Sequence, residues 1–245
     1  MNILFAKKHT FLIFALILLS GCSYQNELIN DPMDPLEDRN RSIYAFNENL
    51  DEAIIEPAAD GYAYIIPNFL QKGLNNFFDN INYPITIINQ VLQGNIEKSL
   101  QDTLRFSVKT SIGIFGLFDP ASSMGLPEHD EDFGQTLAVW GVKEGPYLML
   151  PFIGPKTLRS LTGDLTDVLF NPLLNIDDTN LKIKTNLINI LQDRSDLSGL
   201  EEELDNSFDP YQYIKDSYIQ NRKYKIHNGN TSEDDIEIDV DFDDF

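Results

Sequence analysis

Ten prolines fall between positions 57 and 210, at 57, 67, 84, 120, 127, 146, 151, 155, 172 and 210. Each fixes its own φ and removes a backbone donor, so they divide the chain into short pieces and exclude central strands at those points. Between Asp34 and Arg222 the apolar residues still recur mostly at helical spacing. Ile96, Leu100, Leu104, Val108 and Ile112 make one continuous helix face, with Asn95, just after Gly94, as its N-cap. A second helix is predicted over Asp38–Leu50, with Ile43, Phe46 and Leu50 on one side. Segment 82–92 is β-branched and could be a strand by propensity; Pro84 near its start and the Ile85, Ile88, Leu92 row favour helix. No regularly spaced strand–turn–strand series and no internal repeat is present. The expected class is all-α.

Charge and composition exclude whole classes of function. The 245 residues hold 18 Lys+Arg against 39 Asp+Glu, a formal net charge of −21. Such a chain lacks the cationic footprint that nucleic acid requires. At 42% hydrophobic and 11% aromatic residues it can bury a sizeable core, so bulk disorder is excluded. The single cysteine, Cys22, rules out an intramolecular disulfide and a Cys-based zinc cluster. His9, His129 and His227 have no metal-ligand spacing, and neither metal nor cofactor is expected. GxSxG, P-loop, HExxH and GxGxxG patterns are absent. His129 stands beside Asp130, Glu131 and Asp132, a base with orienting acids in principle, but Ser122 and Ser123 lack nucleophile spacing. The run reads as a solvated turn, and the chain is not expected to be an enzyme.

The two ends read separately from the body. Lys7 and Lys8 precede nine apolar residues, Phe11 to Leu19, too few to span a bilayer but suited to a signal-peptide core. Leu19-Ser20-Gly21-Cys22 resembles a bacterial lipobox. On that reading residues 1–21 are removed, Cys22 carries lipid, and residues 22–33 form a linker; an ordinary signal peptide with an incidental cysteine is the alternative. Ser23, where aspartate would retain the protein at the inner membrane, directs it to the outer membrane on its periplasmic face. Several acyl chains at about 0.8 kcal/mol per buried methylene make a stable anchor. At the other end residues 233–245 carry eight acids and no base. Their period-two pattern has no partner strand, and the start of a calcium loop at Asp239 lacks its glycine and distal glutamate, so 227–245 reads as a solvated, disordered tail.

Two interior stretches are unusual. Ser111 to Leu126 holds Gly113, Gly116 and Gly125, which loosen the backbone, among Ile114, Phe115, Leu117, Phe118, Met124 and Leu126. Either these apolar residues cap the protein's own core or they form a flexible hairpin against lipid. Residues 132–159 are dense in apolar and aromatic residues, with turns fixed at Gly145-Pro146-Tyr147 and Gly154-Pro155.

Asp34-Pro35-Leu36-Glu37, Asn40-Arg41, Tyr44, Phe46-Asn47 and Leu50-Asp51 resemble the opening signature of the MlaA (VacJ) outer-membrane lipoproteins. Phe133-Gly134-Gln135-Thr136-Leu137, Trp140-Gly141-Val142, Gly145-Pro146-Tyr147, Leu150-Pro151 and Gly154-Pro155 are similar to its central signature, and Asp209-Pro210-Tyr211 with Tyr218 and Arg222 to its closing one. Lys143 and Ser160 depart from the pattern. The resemblance spans about Asp34 to Arg222, with the domain set at 34–226. It implies a ring of short helices in the inner leaflet of the outer membrane, around a central amphipathic channel. Through it misplaced phospholipids would leave the outer leaflet for a periplasmic carrier, in association with trimeric porins. It further implies that Phe46 and Asn47 control channel opening and that Ser111–His129 is a hairpin gate, with Gly113, Ile114, Phe115, Gly116, Leu117, Phe118 and Met124 as gating residues. A structural lipoprotein that scaffolds porins without a lipid channel is the alternative.

Overall fold

Proline and side-chain caps decide where most of the helices begin. Helix α1 (Glu37–Leu50) opens with Glu37 and Asp38 at its positive end and passes through a π-helical turn, Asp51–Ile55, into α2 (Glu56–Ile65). Pro57 lies in the first turn of α2, and Pro67 separates it from α3 (Asn68–Leu92). After α4 (Ile96–Ser111) come α5 (Pro120–Ser123), capped by the Asp119 carboxylate, and α6 (Phe133–Val139), capped by Asp132. Strands β1 (Tyr147–Leu150) and β2 (Gly154–Thr157) lead into α7 (Leu158–Asp167), which opens with a Thr157/Ser160 capping box. A 3₁₀ turn at Val168–Phe170, α8 (Thr179–Leu197) and α9 (Pro210–Ile226), capped by Asp209, complete the order. This computed structural model describes residues 31–171, 179–197, 204 and 206–229, and the fold is that of the compact unit starting at Met33. The leader 1–21, Cys22 and the acidic tail from residue 230 lie outside the described residues.

All-α holds, with three local differences. First, β1 and β2 pair antiparallel, Tyr147 opposite Thr157 and Leu150 opposite Gly154, where the sequence pattern shows two proline turns and no strand. Four residues a side are too short to display periodicity. Second, α3 runs straight through Pro84 instead of beginning there. The missing N–H forfeits one backbone bond to Asn80, but the helix is held from outside along its length: Asn80 Nδ2 donates to Thr110 Oγ1 (3.0 Å) and Tyr83 Oη to Asp102 Oδ1 (2.8 Å), both on α4. Third, Asn95 occupies the N-cap position of α4 but makes no cap bond, and its amide turns to Gln93.

The three signature segments, far apart in sequence, meet in one knot. Tyr147, Met149 and Tyr211 form the buried apolar cluster, with Ile43, Tyr44, Ile214 and Tyr218 packed around it. Buried Asp34 accepts from Asn40 Nδ2 (2.7 Å) and the Tyr211 hydroxyl, with the Lys215 ammonium 3.6 Å away. Arg41 grips both oxygens of Asp209 (3.0 and 2.7 Å) while its guanidinium lies 4.4 Å over the Tyr211 ring. Arg222 of α9 takes both oxygens of Asp132, the cap of α6. Ser160, one of the two departures from the family pattern, bonds the Tyr218 hydroxyl (2.7 Å), whereas Lys143 is exposed.

Candidate functional site

The burial pattern is reversed with respect to a protein folded in water. Among the described residues 19 polar or charged side chains are buried against seven apolar ones. Helix α4 shows this most directly. Its apolar row faces outward, Leu100 66% and Ile112 61% exposed, while Ser99, Asp102, Arg105 and Lys109 on the opposite side are buried. Helix α3 is built likewise, with Asn80, Tyr83, Thr86, Asn89 and Gln90 inward and Phe69, Leu70, Val91 and Leu92 outward. In water such an arrangement would expose hydrocarbon and bury dipoles, both at a cost. Against acyl chains the outward row costs nothing and the helices satisfy their own backbone. Among the described residues no helix is long and apolar enough to cross a membrane.

The inward polar groups bond to each other as one seam. Thr136 Oγ1 donates to Asn89 Oδ1 (2.7 Å), Asn89 Nδ2 to Asp167 Oδ1 (3.2 Å), and Gln93 Nε2 to Glu131 Oε2 (2.8 Å). Several buried atoms in this seam, among them Asn80 Oδ1, Gln90 Oε1, Asp102 Oδ2 and Gln135 Oε1, have no partner among the described residues. Burial pushes the Glu131 and Asp167 carboxyls above their ordinary values. For Asp132 burial acts in the same sense, but the Arg222 guanidinium and the Gln135 N–H outweigh it and hold the group below the usual range.

The acids around His129 are not a solvated turn, a correction to the sequence reading. Glu131 is 5% exposed, Asp132 caps α6 against Arg222, and of the three acids that follow His129 Asp130 is the exposed one, paired with Lys225 (2.5 Å). His129 Nδ1 meets Asp102 Oδ1 at 2.8 Å, the same oxygen that Tyr83 uses. Ser122, one of the two candidate nucleophiles, gives its hydroxyl to Asp119 Oδ2 (2.6 Å). No group of three or more His, Cys, Asp or Glu could hold a metal ion among the described residues.

Most of the apolar residues of the hairpin are exposed. Phe115 is 69% and Phe118 62% exposed, and Ile114, Leu117 and Met124 are also exposed; Gly113, Gly116 and Ala121 are buried. Gly113 and Gly116 tighten the loop rather than loosen it, whereas Gly125 faces open space. A Cβ on Gly113 would overlap the carbonyl oxygens of Phe118 and Lys109, and one on Gly116, at φ +92°, would overlap the Asn80 side chain. Phe115 N–H bonds Thr110 O (2.9 Å), Gly116 N–H bonds Lys109 O (3.0 Å) and Phe118 N–H bonds Gly113 O (2.9 Å). Ile114 and Phe115 themselves adopt φ 54° and 57°, a costly conformation for large side chains. Between this turn, α3 and α4 lie two open apolar hollows of about 330 and 350 Å³, both walled by Phe77 and Phe115.

Phe46 and Asn47 address another element. The Asn47 amide donates to Leu150 O (3.0 Å) and accepts from Phe152 N–H (2.9 Å), closing the turn between β1 and β2. Phe46 packs edge-on against Phe152 at 5.4 Å and is half-exposed. Sequence places these residues on a helix face but gives no sign of their partners, the Phe152 ring and the backbone of the β1–β2 turn, because these lie more than a hundred residues away.

The sequence pattern of the MlaA lipoprotein family matches residues 32–225. The intermembrane phospholipid transport system lipoprotein MlaA of Escherichia coli is 33% identical over 217 residues, 86% of each chain. An uncharacterized protein of Rickettsia bellii is 36% identical over 195 residues, 79% of this chain and 76% of its own. A structure solved as the structural basis for maintenance of bacterial outer membrane lipid asymmetry superposes with a TM-score of 0.71 at 32% identity, covering 79% of this chain and 98% of that one.

Proposed function

This chain belongs to the MlaA lipoprotein family, and we propose that it removes misplaced phospholipid from the outer leaflet of the outer membrane. Tethered at Cys22, it lies in the inner leaflet with its exposed apolar rows among acyl chains, and its helices ring a central channel. Phospholipid passes along that channel to a periplasmic carrier, with the protein held beside trimeric porins.

One observation carries the reading: α4 turns Leu100 and Leu104 outward and Asp102, Arg105 and Lys109 inward. A phospholipid with two chains of about sixteen carbons costs on the order of 25 kcal/mol to bring wholly into water, at about 0.8 kcal/mol per methylene. The headgroup has the opposite difficulty in hydrocarbon. A protein that is apolar outside and polar within offers each part a suitable phase along the whole path, and lipid moves down its own gradient without energy input. Phe46, Asn47 and the Ser111–His129 hairpin regulate passage.

The test is disruption of the gene, with outer-leaflet phospholipid read by a surface-acting phospholipase. Disruption raises the accessible phospholipid, the intact gene restores it, and Cys22→Ala restores it poorly. An unchanged level after disruption overturns the proposal.

A further inference from the structure

The hairpin is not joined to the body by α4 alone. Its returning limb is gathered by one side chain from inside that helix. The Arg105 guanidinium donates to Asp119 Oδ2 (2.7 Å), Ser122 Oγ (3.0 Å), the Leu126 carbonyl (2.7 Å) and Glu128 Oε2 (2.9 Å). Its side chain is completely buried, whereas that of Glu128 is 51% exposed. Lys109, one turn further along α4, adds a looser pair to Glu128 Oε1 at 3.9 Å. Asp119 also caps α5, accepting from the Ser122 N–H (3.0 Å), so cap and fork are one unit.

Stability does not explain a guanidinium so placed. Taking a cation out of water offsets most of what its ion pairs return, and a well-packed apolar residue there would often serve stability as well. What the fork supplies is a fixed position, since its planar donors face several acceptors in one geometry that a lysine ammonium does not reproduce. The loop so fixed carries the most apolar exposed turn of this region, Ile114 to Phe118, and bears on α3 where Gly116 meets Asn80.

We propose that Arg105 is the positioning residue of the hairpin: it closes the base of the 111–128 loop and thereby sets where the apolar turn stands against α3. This rests on the reading of that loop as the regulating element. Charged acceptors at one end and backbone at the other make the returning limb the part that moves when the fork opens.

Amide hydrogen exchange on the full lipoprotein in detergent tests this. In Arg105→Gln the amides of residues 115–126 exchange about tenfold faster, while those of α2 and α9 keep their rates. Arg105→Lys, which restores charge without the fork, leaves exchange as fast as in Arg105→Gln. Should Arg105→Gln fail to fold, Asp119→Asn with Glu128→Gln keeps both the arginine and the α5 cap, and the same local acceleration is expected. Unchanged exchange over 115–126 in the variant that folds, or equal acceleration throughout the chain, overturns the proposal. Local acceleration with wild-type outer-leaflet phospholipid supports the positioning role and counts instead against the hairpin's part in transport.

Discussion

Asn40 and Asn47 lie two turns apart on α1, and together they stand in for a strand on the free edge of β1. The first places its amide between the Tyr147 carbonyl (3.2 Å) and the Met149 N–H (2.9 Å), the second between Leu150 O and Phe152 N–H. Asn40 is 2% exposed, so Asn40→Ala strands buried polar groups and should cost about 2–3 kcal/mol. Asn47 lies nearer solvent, and Asn47→Ala should cost about 1 kcal/mol or less. Denaturant unfolding in detergent checks the ranking; equal losses would mean that burial does not control the bond. Gly113 is decided by space alone. Gly113→Ala must push aside two carbonyls and should lose about 2–3 kcal/mol, read the same way, with Gly113→Pro worse because it also removes the N–H given to Val108. Glycine at 113 was legible as important. The reason, close approach instead of freedom, was not, since sequence cannot say what stands opposite a missing Cβ.

Helix α4 has a stripe that sequence periodicity finds without error, yet periodicity is silent on which side is inside. A row of Ile96, Leu100, Leu104, Val108 and Ile112 predicts one face and leaves open which way it turns; Val108 is half-buried and the other four are exposed. The buried Asp102, Arg105 and Lys109 show that the row is the outer side. Leu100→Lys with Leu104→Lys should leave the unfolding midpoint within a few degrees of wild type. In a Cys22→Ala background it should lower liposome flotation at least tenfold, because lysine at hydrocarbon depth costs about 2.5–3.5 kcal/mol. A large loss of stability with unchanged flotation would place the row in a core. Deleting Phe46 and Asn47 from α1 removes the ring against Phe152 and both bonds to the β1–β2 turn, and turns everything beyond by two helical positions. The expected outcome is a permissive protein that raises outer-leaflet phospholipid even beside a wild-type copy. A level equal to that of the unmodified strain would remove these residues from regulation.

At the scale of the whole molecule, acid resistance is set by a few ion pairs that join distant segments. The Arg41 guanidinium holds the Asp209 carboxyl below its ordinary range, and Arg222 does so for Asp132 against the effect of its burial. Groups lowered on folding add stability above the ordinary carboxylate pKa and lose it as pH falls through the depressed folded values. The Glu131 and Asp167 carboxyls, raised by burial, act in the opposite sense, so the unfolding midpoint should not fall from neutrality down to about pH 4 and should drop steeply below it. Arg222→Leu leaves the half-buried Asp132 with the Gln135 N–H but without its cation, a loss of about 1.5–3 kcal/mol at neutral pH, and should remove part of the acid-side slope. A wild-type slope in that variant would assign acid unfolding to other groups.

The amino-acid sequence by itself determined the helical class, most of the sites where proline starts or stops a helix (Pro84 excepted), the apolar row of α4 and the family signatures. These are local, carried by residues within a few turns of each other. Tertiary structure alone decided that the polar side of α3 and α4 faces inward, that Asp34, Asn40, Tyr211 and Lys215 share one knot, and that Asn47 and Arg105 act on backbone and carboxylates in other segments. The physical reason is the solvent. Periodicity records that two sides of a helix differ, and the side that turns inward depends on whether the medium outside is water or hydrocarbon, which is settled only when the polar groups find one another.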